Sequence, residues 1–417
     1  ENLYQYYRET QFSKFAEIGP FLYMIFQIGK KIEDVKVFKW KKDGGSLTYI
    51  DNRSAHEVVY PQQHEFKWKK TNRDMYRQGD HPHVSIEDKI FVETIKGDLT
   101  IKIEDNTDTG KGIYEEPVEF KEQVLDDAQI EYAIVENLVF LKILPYKEES
   151  HRFIIYNDKI KEAIRVNGIE NCCALLPDDH GVIFPQGIYL QTGEVRLFNL
   201  ELDEMLFEKR ISAPNGEDFL YIFYNKVAGT YLLLTYNLIE QTIHKPIICH
   251  GYSIFKNGEL CFFKTEEEAQ SHHAIQVWTT PFINEDIPRE ETSESFLTKI
   301  GNKEVVRSMA ECKEIIKLVE KEDSYADLYI DLVRKSTDIL DTYYWLNKKE
   351  AFLLEEPLSN IQESSNNAIE EFEKVIKLKK ASALSLSEVE SDYNKLIKGI
   401  KRSTNDNIDN FVDLLIH

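Results

Sequence analysis

Two histidines one residue apart beside an aspartate, in "GDHPHVSIEDK" (Gly79 to Lys89), come nearest in this sequence to a metal or acid–base constellation. Residues two apart on a strand point the same way, so His81 and His83 would offer two imidazoles to one ion, with Asp80 or Glu87 adding an oxygen. Pro82 donates no ladder hydrogen bond and Gly79 marks a turn, which favours rings bonded to backbone at the entry to a strand. Cys249 beside His250 has the types of a nucleophile and its base, but neighbours on a strand point to opposite faces. "PDDHG" (Pro177 to Gly181) sets acid beside His180, the vicinal Cys172 and Cys173 read as buried thiols, and His272 and His273 fall in a polar loop. "TGKG" holds Gly110, Lys111 and Gly112 but lacks both the spacing and the Ser or Thr of a phosphate loop. With 73 acids in the chain, carboxylate pairs of the glycosidase kind arise by chance. From these patterns no catalytic, cofactor-binding or metal-ligating residue is assigned.

The elements that must position these groups fall into two regions. From Phe21 to about Phe282, short alternating runs are punctuated by Gly, Pro, Asn and Asp; from Phe296 onward apolar residues recur at helical spacing. Turns at "DGG", "KGD", "TGE", "AGT" and "NGE" divide the first region into six hairpin-like units. The fold class expected is mainly β followed by α: a β-propeller-like array of antiparallel blades over 1–283, a linker at 284–295, and a helical stalk or bundle over 296–417. A sandwich or irregular barrel is the alternative. In the helical part, Val305, Met309, Ile315, Ile316 and Val319 form one stripe, and Leu328, Leu332, Ile339, Tyr343 and Leu346 a second. Ser385 and Glu388 have capping-box spacing and predict a fresh helix start, with a stripe at Val389, Tyr393, Leu396 and Ile400.

Composition narrows the function. With 42% hydrophobic residues the chain can fill real cores, and 23 Phe and 22 Tyr against 4 Met favour sheets. A formal charge of −22 repels phosphate backbones, so direct DNA binding is not expected. The local exception is Phe66 to Arg77, where Lys67, Lys69, Lys70, Arg73 and Arg77 interleave with Trp68 and Tyr76. Five cysteines outside any CxxC spacing fit a reducing cytoplasm, and no apolar run is long enough for a membrane helix.

In order along the chain, "YYRETQF", "DVKVFKW", "TYIDNR", "GDHPHVSI", "FVETIKGDLTIKIEDNT", "GIYEEPV", "LPDDHGVIFPQGIYLQTGE", "SAPNGEDFLYIF", "CHGYSIF" and "IQVWTTPF" resemble the large bacterial AAA-type ATPases named for DNA repair, from about Leu3 to Phe282. The resemblance implies a conserved non-motor segment, truncated in its first blade, followed by coiled-coil-prone helices and an ATPase module carried elsewhere. It implies ATP and Mg for the intact protein, no cofactor in this segment, and an oligomer. The matching His81, Pro82, His83, Asn215, Gly216, Glu217, Asp218, His250 and Gly251 read as turn, core or interaction-surface residues. The expected function is a non-catalytic, cytoplasmic regulatory or recognition region that binds a protein partner. The alternatives are a scaffold of a protein-remodelling stress or phage-defence assembly without a DNA role, and a hydrolase at the propeller mouth using His83, Asp179 or His180.

Overall fold

Strands buried on both faces have no polar side to alternate, and the middle of this chain shows that signature: all six residues of Arg152–Asn157 are buried. The computed structural model describes residues 2–8, 10–29, 34–58, 61–200, 202, 204–265, 271–284, 296–320 and 326–402. It divides into two compact units, residues 1–288 and 289–417. The expected linker at 284–295 lies outside the described residues beyond Asn284.

Among the described residues the first unit holds six antiparallel sheets, each a meander of strands in chain order. The first runs Gln11–Ile18, Phe21–Gln27, Val35–Asp43, Ser46–Asp51. The second runs Tyr76–Arg77, His83–Ile86, Ile90–Glu93, Asp98–Lys102, Tyr114–Pro117. In the third, Lys69–Lys70 edges a meander from Gln129–Val135 to Glu162–Arg165. The fourth spans Ala174–Leu175 to Val195–Leu197, the fifth starts with Leu206–Ser212, and the sixth runs Gly251–Ile254, Glu259–Phe263, Ile275–Thr279.

Three successive pairs of sheets share a core. Val139, Leu141, Ile154 and Tyr156 of the third sheet pack with Val84, Val92 and Ile101 of the second. The alternate residues Leu138, Phe140, Phe153 and Ile155 pack instead with Val182, Phe184 and Tyr189 of the fourth. Leu220, Ile222 and Leu233 of the fifth meet Leu260 and Phe262 of the sixth. The unit is thus mainly β with many antiparallel sheets; among the described residues no strand pairing closes them into a ring or barrel.

In the second unit, α3 (Asn302–Val319) and α4 (Ala326–Thr342) pack with the start of α5 (Glu355–Arg402), after the short helices α1 (Asn2–Tyr6) of the first unit and α2 (Phe296–Ile300). The stripe Leu328, Leu332, Ile339, Tyr343 and Leu346 is buried as expected. That of α3 is buried in part: Val305 and Ile315 pack into the helical core with Leu318, whereas Met309, Ile316 and Val319 are exposed and Val306 and Ala310 are buried instead. Two apolar stripes run along this helix, and spacing alone does not say which one α4 covers. Nor does a helix begin at Ser385, because α5 continues through it. Pro357 sits in the first turn, where its missing N–H costs no bond, and no proline interrupts the helix afterwards. Ile400 is among the side chains outside the described residues. Among the described residues no helix is long and apolar enough to cross a membrane.

Candidate functional site

The histidine pair lies on the second sheet but does not converge. The strand begins at His83, so His81 precedes it and the same-face rule does not apply. His81 Nδ1 lies 2.7 Å from Glu93 Oε1, whereas His83 Nε2 lies 2.8 Å from Asp105 Oδ1. Glu87 sits in the left-handed turn at the far end of the strand, at φ 50°, where its carboxylate accepts from Tyr132 Oη at 3.3 Å. Among the described residues no group of three or more His, Cys, Asp or Glu side chains is placed to hold a metal ion.

What the strands build instead is a buried polar network, in which His83 Nδ1 and Glu93 Oε2 have no hydrogen-bond partner among the described residues. Val84, Val92 and Ile101 enter the core shared with the third sheet, and by the period of two His83, Glu93 and Lys102 turn to the other face, where all three are buried. Lys102 Nζ forms an ion pair with Glu93 Oε2 at 2.6 Å and donates to the Thr109 carbonyl at 2.7 Å and the Asn106 carbonyl at 3.2 Å. Lys96 Nζ is 3.1 Å from His81 Nε2; an ammonium has no lone pair, so Nε2 accepts and Nδ1–H donates to Glu93. The covering loop holds "TGKG" tightly. A Cβ on Gly110 would stand 2.6 Å from the His81 ring, and one on Gly112 only 2.3 Å from the Ile101 carbonyl oxygen. These glycines allow close packing, and the filled space does not fit a triphosphate.

The other singled-out groups are held apart. His180 Nδ1 pairs with Tyr236 Oη at 2.9 Å, in a turn where Asp178 and Asp179 are both left-handed; His83 is fully buried among different partners. Burial pushes the Cys249 thiol up to about 11, away from thiolate chemistry, and raises Cys172 and Cys173 further. Asn215 Oδ1 accepts from the Glu217 and Asp218 main chain, closing a turn between the first two strands of the fifth sheet. His272 and His273 are exposed. In the Phe66 to Arg77 stretch, Phe66 stacks on Phe140 with centroids 4.6 Å apart, while Lys70, Arg73 and Arg77 pair with Glu131, Asp126, Asp88 and Asp105. Its aromatics belong to the core and most of its cations are already matched.

Sequence reasoning did not pick out the place where the unit opens. The first strands of three sheets, Gln11–Ile18, Leu206–Ser212 and Gly251–Ile254, line a cavity of about 690 Å³. Among the described residues each of these strands pairs on one side only, so each brings an unpaired edge. Ile211, Tyr231, Tyr252, Ile254 and Phe282 supply apolar surface, and Tyr231 and Tyr252 meet edge to face at 5.1 Å. Burial first, then Glu208, holds both phenols well above their ordinary pKa, so they remain donors; Tyr252 Oη donates to Glu208 at 3.2 Å. Lys14 also contacts Glu208, at 3.5 Å. His250 lines the wall, its Nδ1 accepting from the Thr265 main chain at 3.0 Å. Lys209 and Lys256 are exposed on the lining and make no ion pair among the described residues. The sequence signal was indirect: the resemblance-bearing "CHGYSIF" contains the sixth-sheet strand Gly251–Ile254, and "IQVWTTPF" ends on Phe282.

Stacked antiparallel meanders with locked histidines and an open cavity between strand edges define a sheet-built module joined to a helical unit. The chain belongs to the family described as "ATPase involved in DNA repair", whose sequence profile matches residues 1–344. This match bears out the resemblance and carries it beyond Phe282 through α4. No curated protein matches the chain. Among solved structures it is similar to a puromycin-hydrolysing peptidase of Mycobacterium tuberculosis at 11% identity and a TM-score of 0.21, over 65% of this chain and 44% of that one. It is similar to an oligogalacturonate lyase in complex with manganese at 11% identity and a TM-score of 0.20, over 63% and 71%. Prolyl oligopeptidase B from Galerina marginata gives 10% identity and a TM-score of 0.18, over 61% and 38%. Likeness at this level says nothing of activity.

Proposed function

We propose that this chain is a non-catalytic recognition region of a cytoplasmic bacterial ATPase of the DNA repair family: a propeller-like array that binds a protein partner and couples through its helices to a motor carried outside these residues. The observation that carries the reading is the cavity at which three sheets each present the unpaired edge of a first strand. Six meanders in chain order with shared cores support the propeller-like arrangement. The 417 residues contain no phosphate-loop motif, and the one Gly-Lys-Gly stretch is packed against its own sheet. Rigid strands that offer loops and edges around a cavity are a common way to build a binding surface.

ATP turnover by the chain with magnesium, alone and with duplex or single-stranded DNA, tests this. No turnover above buffer is expected. Turnover that survives repurification and disappears with a point substitution inside the chain would overturn the reading.

A further inference from the structure

We infer that the cavity between the three first strands receives an acidic, extended segment of the partner, added as a strand to the edge Gly251–Ile254. This rests on the preceding reading that the region binds a protein and names the chemistry of what it binds. The Phe255 N–H donates to the Glu259 carbonyl at 2.9 Å, and Ser253 lies opposite Cys261. By the alternation of an antiparallel ladder, Tyr252 and Ile254 turn their N–H and C=O groups away from that neighbour, toward the unpaired side. Such a row of donors and acceptors is what a peptide main chain pairs with, and it offers nothing equivalent to a sugar-phosphate backbone.

Charge selects the sequence of that peptide. The chain as a whole carries −22, yet this cavity is lined by Lys14, Lys209 and Lys256 against a single carboxylate, Glu208, which already accepts from Tyr252 and Lys14. Lys209 Nζ, from the first strand of the fifth sheet, stands 5.5 Å from the centroid of the Tyr252 ring, and Lys256 follows the edge two residues beyond Ile254. Two unpaired ammonium groups therefore flank the main-chain donors, while Ile211, Ile254 and Phe282 take the apolar side chains that alternate with the acidic ones.

The test is fluorescence anisotropy of the whole chain with a fluorescein-labelled peptide of four Glu-Val repeats. Its comparators are a Lys-Val peptide, the Glu-Val peptide with alternate amides N-methylated, and an eight-residue oligothymidylate. The Glu-Val peptide is expected to bind, more weakly as salt is raised, and to lose roughly tenfold in affinity with Lys209→Glu and Lys256→Glu combined. N-methylation is expected to abolish binding. Lys209→Gln and Lys256→Gln serve in the same role if the reversals disturb the fold. Absence of Glu-Val binding, indifference to the lysine variants or indifference to N-methylation overturns the inference. Oligothymidylate binding that is lost in the same variants also overturns it, by assigning the cavity to nucleic acid. None of these outcomes creates ATP turnover, so the failure of this inference and of the non-catalytic reading are told apart.

Discussion

The polar face of the second sheet and the cavity at the three first strands both hold lysines, acids, histidines and rings, and they use them in opposite ways. On the second sheet, Lys102, Glu93 and His81 pair with one another under a loop whose glycines permit contact. At the cavity, Glu208 ties two walls together while Lys209 and Lys256 face outward without ion partners among the described residues. Residue types that could do chemistry are therefore poor guides here; what separates the regions is whether each charged group is buried against a charged partner.

The largest effect is expected where that pairing is most deeply buried. Lys102→Met leaves Glu93 buried with half of its compensation gone, and should cost about 3–5 kcal/mol in urea unfolding. A loss below about 1 kcal/mol would mean that water reaches Glu93, and the contrast with the cavity would weaken. Gly112→Ala comes next. Its methyl would meet a backbone oxygen that cannot rotate away, so about 1–3 kcal/mol is expected, with the loop and His81 shifting together in hydrogen exchange.

A third, smaller effect depends on pH. Burial holds the His64 pKa below the ordinary histidine value, against the opposing pull of the Ile169 carbonyl 2.8 Å from Nε2. The unfolded chain then binds a proton that the folded chain refuses. This contribution to stability is complete above the ordinary value and is lost as pH falls toward the folded one. His151 shifts the same way, mainly through burial. His64→Gln should therefore lose less stability between pH 7.5 and 5.5 than the unsubstituted chain, by less than either substitution above; equal slopes would show that His64 does not report on the fold.

Much of the architecture was legible because it depends on local pattern. "DGG" and "NGE" mark hairpin turns, and the alternation of Leu138 to Ile143 already carries the two faces that reach two different cores. The stripe chosen on α3 held at Val305 and Ile315 but failed at Met309, Ile316 and Val319, because Met309 and Val306 are both apolar and only the position of α4 decides between them. Ser385 looked like a cap because a cap and an exposed mid-helix serine share one residue type; α5 reads straight through it. The histidine pair was visible, but its partners Glu93, Asp105 and Lys96 come from a neighbouring strand and from loops, so spacing could not supply them. The cavity was not visible at all: its walls come from strands near residues 14, 209 and 252, joined only by the stacking of sheets.

The smallest expected stability change sharpens the comparison most. Lys209→Met makes at the cavity the same replacement that Lys102→Met makes on the second sheet. Lys209 is exposed, pairs with no acid among the described residues and only leans over Tyr252, so unfolding should move by no more than about 0.5 kcal/mol. Its effect should appear instead as weaker binding of the Glu-Val peptide, with the urea midpoint unchanged. A lysine buried against a buried acid acts on stability, and one left uncommitted at an open strand edge acts on association. If Lys209→Met destabilised the chain as Lys102→Met does, the cavity would be part of the scaffold, and the distinction between a buried network and an open site would fail at the residue chosen to define it.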